Sequence, residues 1–167
     1  MITAEDLIKK FNMKVLPGEG GYYSETHRAD HLLSESSLPE SYNSDRSLST
    51  AIYYMLTPNT KSLLHRLPTD EIFHFYLGDP VLMLQLYPDG GSKKIILGQD
   101  INNGQSVQVH VPKGVWQGSY LLEGGEFALM GTTMAPGFDF ADNEIGKRDD
   151  LKNLYLSDED LIIKLTE

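Results

Sequence analysis

Apolar residues in this chain fall in short runs, and turn residues interrupt them about every eight to twelve positions. Ser47 to Thr57 (SLSTAIYYMLT), Ser62 to Leu67, Glu71 to Leu77 and Val81 to Tyr87 are rich in the β-branched, aromatic and alternating residues that suit a pleated strand. Pro58-Asn59, Pro68-Thr69-Asp70 and Asp79-Pro80 separate them. Pro88-Asp89-Gly90-Gly91 is a hairpin signal, and Lys94 to Leu97 is its return strand. Turns at Asn102-Asn103-Gly104, Pro112-Lys113-Gly114 and Glu123-Gly124-Gly125 lead into strands over Ser106 to Val111, Trp116 to Leu122 and Phe127 to Met134. Tyr22 to Arg28 reads as an earlier strand, entered from the glycine-rich run Pro17-Gly18-Glu19-Gly20-Gly21. The pattern predicts an all-β sandwich or barrel.

The two ends differ. Thr3 can cap a short helix through about Phe11, with Glu5 and Asp6 favoured in its first turn. After Ala135 the spacing turns helical, over Asp149 to Tyr155 and again beyond Ser157, where Leu161, Ile162 and Leu165 form an apolar stripe. From Asp30 to Arg46 the composition is Ser, Glu, Asp, Asn and Pro, a long surface loop expected to be the most mobile segment. One domain over 1–167 follows, with a helix and turn at 1–20, a barrel at 21–135 and a helical extension at 136–167.

Composition narrows the function. Hydrophobic residues make up 40% of the chain, enough for a core, and no apolar run approaches the roughly 20 residues that span a bilayer. The 24 acidic against 14 basic residues, a net charge of −10, repel phosphate backbones and argue against nucleic acid. With no cysteine there is no disulfide, thiolate nucleophile or sulfur ligand. The opening MITAEDLIKKF lacks the basic-then-apolar layout of a secretion signal, so the expectation is a cytoplasmic protein without a membrane partner.

The chemistry concentrates in HRLPTDEIFHFYLG, from His65 to Gly78. Ionisable groups among apolar residues are costly unless they are paired or functional. Alternation puts Glu71, Phe73 and Phe75 on one face of the strand and Ile72, His74 and Tyr76 on the other, so His74 points away from Glu71. Tyr53 and Tyr54 likewise face opposite ways, and one of them enters the barrel.

The strand order, with His65-x5-Glu71-x6-Gly78 in one half and Pro112-x-Gly114 in the other, resembles the cupin superfamily. Cupin motifs run G-x5-H-x-H-x3-E-x6-G and G-x5-P-x-G-x2-H-x3-N. Here Asn59 stands for the first glycine, Leu67 for the second histidine and Gln117 for the histidine of the second motif, whose first gap after Gly104 is longer. Tyr22-Tyr23 after glycines, Asp70-Glu71, Trp116-Gln117 and Pro136-Gly137-Phe138-Asp139-Phe140 resemble a cupin subfamily known as a domain of unknown function. The resemblance implies a jelly roll (a double-stranded β-helix) with short terminal helices, and a homodimer.

It also frames the site. Metal-binding cupins use three histidines and a glutamate; this chain offers His65 and Glu71, with Gln117 as a weak third ligand, so no resident metal is expected beyond a weakly held divalent ion. Some cupins without metal, notably sugar-nucleotide epimerases, use a barrel histidine as base. By that likeness His65 and Glu71 would be catalytic, with Gln117, Trp116, Tyr53 and Phe73 lining a pocket for a small, sugar-like ligand. The alternatives are a metal-dependent oxygenase or isomerase on His65, Glu71 and a further ligand, and a non-catalytic binding or storage protein.

Overall fold

The computed structural model describes residues 2–167. Helix α1 (Ala4–Lys10) is followed by strands β1 (Lys14–Val15), β2 (Tyr22–Arg28), β3 (Leu32–Leu33), β4 (Arg46–Ser47), β5 (Thr50–Leu56), β6 (Lys61–Arg66) and β7 (Glu71–Gly78). Then come β8 (Val81–Leu86), β9 (Ser92–Leu97), β10 (Gln108–Val111), β11 (Trp116–Leu121), β12 (Ala128–Met134) and β13 (Glu144–Ile145), and last α2 (Arg148–Leu154) and α3 (Glu159–Lys164). The helix at the start has the cap its sequence calls for. Thr3 accepts from the Asp6 amide while the Asp6 carboxylate accepts from the Thr3 amide.

Two antiparallel sheets face each other, one in the order β1-β2-β5-β12-β7-β10 and one in the order β13-β6-β11-β8-β9. This is the jelly roll that the punctuation and the motifs predict. The sheets reach past 21–135 at both ends, because β1 pairs with β2 and β13 pairs with β6. Between them lies a core that includes Tyr54, Phe73, Phe75, Met83, Val109, Val111 and Met130. Both outer faces are partly covered. Leu7 of α1 packs with Met55, Phe127 and Leu129 on the larger sheet; Leu151, Tyr155, Ile162 and Leu165 pack with Leu64, Leu84 and Leu86 on the smaller one.

The alternation on β7 is as the sequence predicts: Glu71, Phe73 and Phe75 are buried, Ile72 and Tyr76 exposed. The Pro112–Gly114 turn docks on the turn after β6, where the Gly114 amide donates to Leu67 O (2.8 Å) and the Lys113 amide to Asp70 Oδ1 (2.8 Å). The two motif halves are thereby joined at one end of the barrel.

The segment from Asp30 to Arg46 is less free than its composition suggests. It carries β3 and β4, which pair, and its last residue is almost fully buried. Arg46 forms a two-pronged pair with Asp142, with Nε to Oδ2 at 2.8 Å and Nη2 to Oδ1 at 2.5 Å. Its guanidinium also donates to Ser44 O and Asp45 O and lies 5.5 Å from the Tyr42 ring centre. A planar, permanently charged fork suits such a site, because its remaining N–H groups each find an oxygen.

Candidate functional site

One cavity of about 220 Å³ lies within the barrel. Its polar end is made by Glu19, His65 and Glu71; Tyr54, Leu67, Phe73 and Met134 supply apolar wall, and the exposed Glu25, Arg28 and Phe140 mark the open side beside Tyr23 and Phe138.

A bulge in β6 builds the polar end. Gln117 of β11 pairs with His65, yet Ser119 pairs with Ser62, so β6 holds one more residue than its partner over this interval. The extra residue lets Ser62 and His65, three apart, both face inward, while Leu64 between them joins the outer cluster under the C-terminal helices. The backbone of Leu63 is turned to other uses. Its amide donates to Glu19 O (2.8 Å), and its carbonyl lies 2.7 Å from His65 Nδ1. A carbonyl oxygen can only accept, so Nδ1 carries the proton and Nε2 is left with its lone pair toward the cavity.

Glu19 reaches the barrel through the glycine run. Gly20 and Gly21 have φ of +97° and +77°, in the left-handed region. A Cβ on Gly20 would sit 2.3 Å from Lys61 O, and one on Gly21 would sit 2.5 Å from the Tyr54 hydroxyl. Without side chains there, the arm lies flat on β6 and Tyr54, Tyr54 donates to Gly20 O (2.9 Å), and Glu19 is inserted. Ser62 Oγ donates to Glu19 Oε1 (3.0 Å), and Glu19 Oε2 stands 3.5 Å from His65 Nε2.

Burial sets the charges. It pushes the Glu19 carboxyl from its ordinary 4.5 up to about 8, against the pull of Ser62 and Asn143. Burial likewise lowers His65, although the Glu71 charge opposes this. The Glu19–His65 contact is therefore between neutral groups at neutral pH rather than an ion pair. Burial raises Glu71 too, and neither a charged His65 nor the hydrogen bonds from Gln117 (Nε2 to Oε2, 2.5 Å) and Thr132 offset it.

Of the residues picked from sequence, His65, Glu71 and Phe73 line this cavity, and Gln117 stands behind Glu71. Two do not belong. Trp116 lies on the outer side of the smaller sheet, under the Arg66 guanidinium (4.5 Å to the ring centre) and against the C-terminal helices. Trp116 and Gln117 are neighbours on β11, so only one of them can point inward. Tyr53 also faces out, 4.5 Å from the Phe11 ring, and its neighbour Tyr54 takes the inner place. His74 bonds Thr133 on the outer face, and His110 forms an exposed pair with Asp70. Glu19, Arg28, Tyr54 and Thr132 also line the cavity, and the motifs do not reveal them. The signal for Glu19 was the glycine pair after it, which marks a close backbone approach.

The residues at the cupin metal positions are poor donors. Leu67 presents hydrocarbon at the second histidine position, and Gln117 turns an Nε2–H donor rather than a lone pair to Glu71. Among the described residues no three His, Asp or Glu side chains converge as a metal-binding group. This donor set does not fit a resident transition metal.

Comparisons with known proteins agree with the fold. The chain is 36% identical over 146 residues to the uncharacterized protein YML079W of Saccharomyces cerevisiae, covering 81% of this chain and 72% of the other. Protein SO0799 from Shewanella oneidensis superposes with a TM-score of 0.88 at 30% identity, over 100% of this chain and 99% of its own. A hypothetical protein from Leishmania major gives 0.88 at 31%, over 99% of both. Oxalate decarboxylase of Bacillus subtilis, a protein with Mn(II) centres, matches with a TM-score of 0.53 at 17% identity, over 94% of this chain and 39% of its own, and shares the fold alone. Among the described residues no helix is long and apolar enough to cross a membrane. The family model described as Cupin superfamily (DUF985) matches residues 5–146, and the chain belongs to that family.

Proposed function

We propose that the barrel binds a small, sugar-like molecule and moves a proton on it without a metal, as an epimerase or isomerase does. The observation that carries this reading is the state of His65: a buried, neutral imidazole whose Nδ1–H is tied to Leu63 O and whose free Nε2 meets the cavity. A base needs that lone pair, in that tautomer, on the side where the ligand sits. Aromatic side chains at Tyr23, Tyr54, Phe73 and Phe138 offer faces on which the C–H side of a sugar ring packs. A cavity of about 220 Å³ suits one monosaccharide-sized group, and anything attached to it would leave past Arg28.

The test is ligand-observed NMR with neutral hexoses, hexose phosphates and nucleoside-diphosphate sugars, followed by deuterium wash-in from D2O for any binder. The expected result is wash-in at one carbon that falls by a factor on the order of 10² to 10⁴ in His65→Gln while binding persists. Binding without wash-in would make this a binding protein rather than an enzyme. No binding across the set would overturn the ligand class.

A further inference from the structure

Proton transfer at a carbon next to a carbonyl needs an acid as well as a base, and the carboxyl that stands against His65 Nε2 comes from outside both cupin motifs. Glu19 Oε2 is 3.5 Å away, on the same cavity wall, and Ser62 Oγ holds the other oxygen. Two carboxyls in one dry chamber resist ionising together. Position divides them, because Glu19 is the carboxyl that stands against His65 Nε2. Glu71 accepts from Gln117 and Thr132. Glu19 accepts from Ser62 and Asn143.

We propose that Glu19 is the acid partner of His65, a carboxylic acid that hydrogen-bonds the carbonyl oxygen of an α-hydroxycarbonyl ligand while His65 Nε2 faces the adjacent carbon. This rests on the reading of the barrel as an acid/base site. In the forward step His65 Nε2 takes the carbon's proton, the C–H electrons form the C=C bond, and the carbonyl π electrons take the proton from Glu19. The products are an enol, an imidazolium and a carboxylate, the last two 3.5 Å apart and mutually stabilising. In the return step the imidazolium gives its proton to the other face of the same carbon or to the former carbonyl carbon, and Glu19 takes a proton from the hydroxyl of whichever carbon becomes the carbonyl, an epimerisation or isomerisation that needs no oxidant or further reactant. Glu71 accepts from Gln117, and whatever charge it carries favours the imidazolium. Burial supports the assignment, since it keeps the Glu19 proton in place up to about pH 8.

The experiment combines carboxyl 13C NMR of glutamate-labelled protein with deuterium wash-in to dihydroxyacetone, a probe small enough for the cavity. The wild type should show one glutamate carboxyl, missing in Glu19→Gln, that titrates near pH 8 rather than near 4.5. Glu19→Gln should stay folded and keep the His65 Nδ1–H tautomer by 15N shifts, yet lose wash-in by about a hundredfold. A Glu19 carboxyl that titrates near 4.5, or unchanged wash-in in Glu19→Gln, overturns the proposal. The two readings fail separately. Exchange abolished by His65→Gln but spared by Glu19→Gln removes Glu19 alone, whereas no exchange in the wild type removes the α-hydroxycarbonyl reaction itself.

Discussion

Replacing Glu19 with glutamine should stabilise this protein, by an amount that grows with pH. The amide copies the shape of a protonated carboxyl, still accepts from Ser62 and has no proton to lose. In the folded chain burial holds Glu19 at about 8 against its ordinary 4.5. Between those values the folded state binds a proton that the unfolded state has released, so wild-type stability falls as pH rises. Below 4.5 both states are protonated and the penalty disappears; above about 8 it is complete. The interval, 8 − 4.5 = 3.5, corresponds to about 5 kcal/mol at roughly 1.4 kcal/mol per pH unit. Worked through the two titrations, the penalty is about 1 kcal/mol at pH 5, about 3 at pH 7 and about 5 at pH 9. His65 has the opposite sign. Its lowered value costs stability as pH drops below its ordinary 6.5, in both proteins. Urea unfolding of wild type and Glu19→Gln at these three pH values measures the difference directly. Stability curves that run parallel with pH would refute the neutral, buried Glu19 from which the acid role is argued.

Two further outcomes follow from other parts of the fold. Arg46→Ala should cost about 3–5 kcal/mol by leaving Asp142 buried and unpaired, since the two side chains are only 1% and 6% exposed. Thermal unfolding reads that loss, and ligand affinity should weaken with it, because Asp142 anchors the segment that brings Phe138 and Phe140 to the mouth. The double change Leu67→His with Gln117→His restores the cupin donors around His65 and Glu71, and should bind zinc at least about tenfold tighter than the wild type by isothermal titration. An unchanged affinity would show that these two positions do not converge on the metal place of the motif.

Much of the site was legible because strands impose a strict parity. Alternation settled that Glu71 and Phe73 share a face and that His74 leaves it, and the motif spacing brought His65 beside them. Parity does not give phase when both faces of a sheet are covered. Tyr53 and Tyr54 are both apolar enough for either side, and α1 with Phe11 offers Tyr53 a second interior. Trp116 was misplaced for the same reason, since the C-terminal helices make the outer face of β11 as apolar as the inner one. The bulge at Leu63 also has no mark in the sequence, although it decides that Ser62 and His65 both face inward, one onto Glu19 and the other onto the cavity.

By itself, then, the sequence determined the jelly roll, its two motif halves and the loss of two metal donors, because turn residues, period-two patterning and local spacing act within a few residues of one another. Only the tertiary structure decided that Glu19 completes the site. It lies 46 residues from His65 in the chain, in what reads as a solvated turn, and is brought in because Gly20 and Gly21 let the arm lie against Lys61 and Tyr54. A contact made by a close backbone approach between distant segments, and the proton that burial then keeps on the carboxyl, depend on what surrounds a residue rather than on what precedes and follows it.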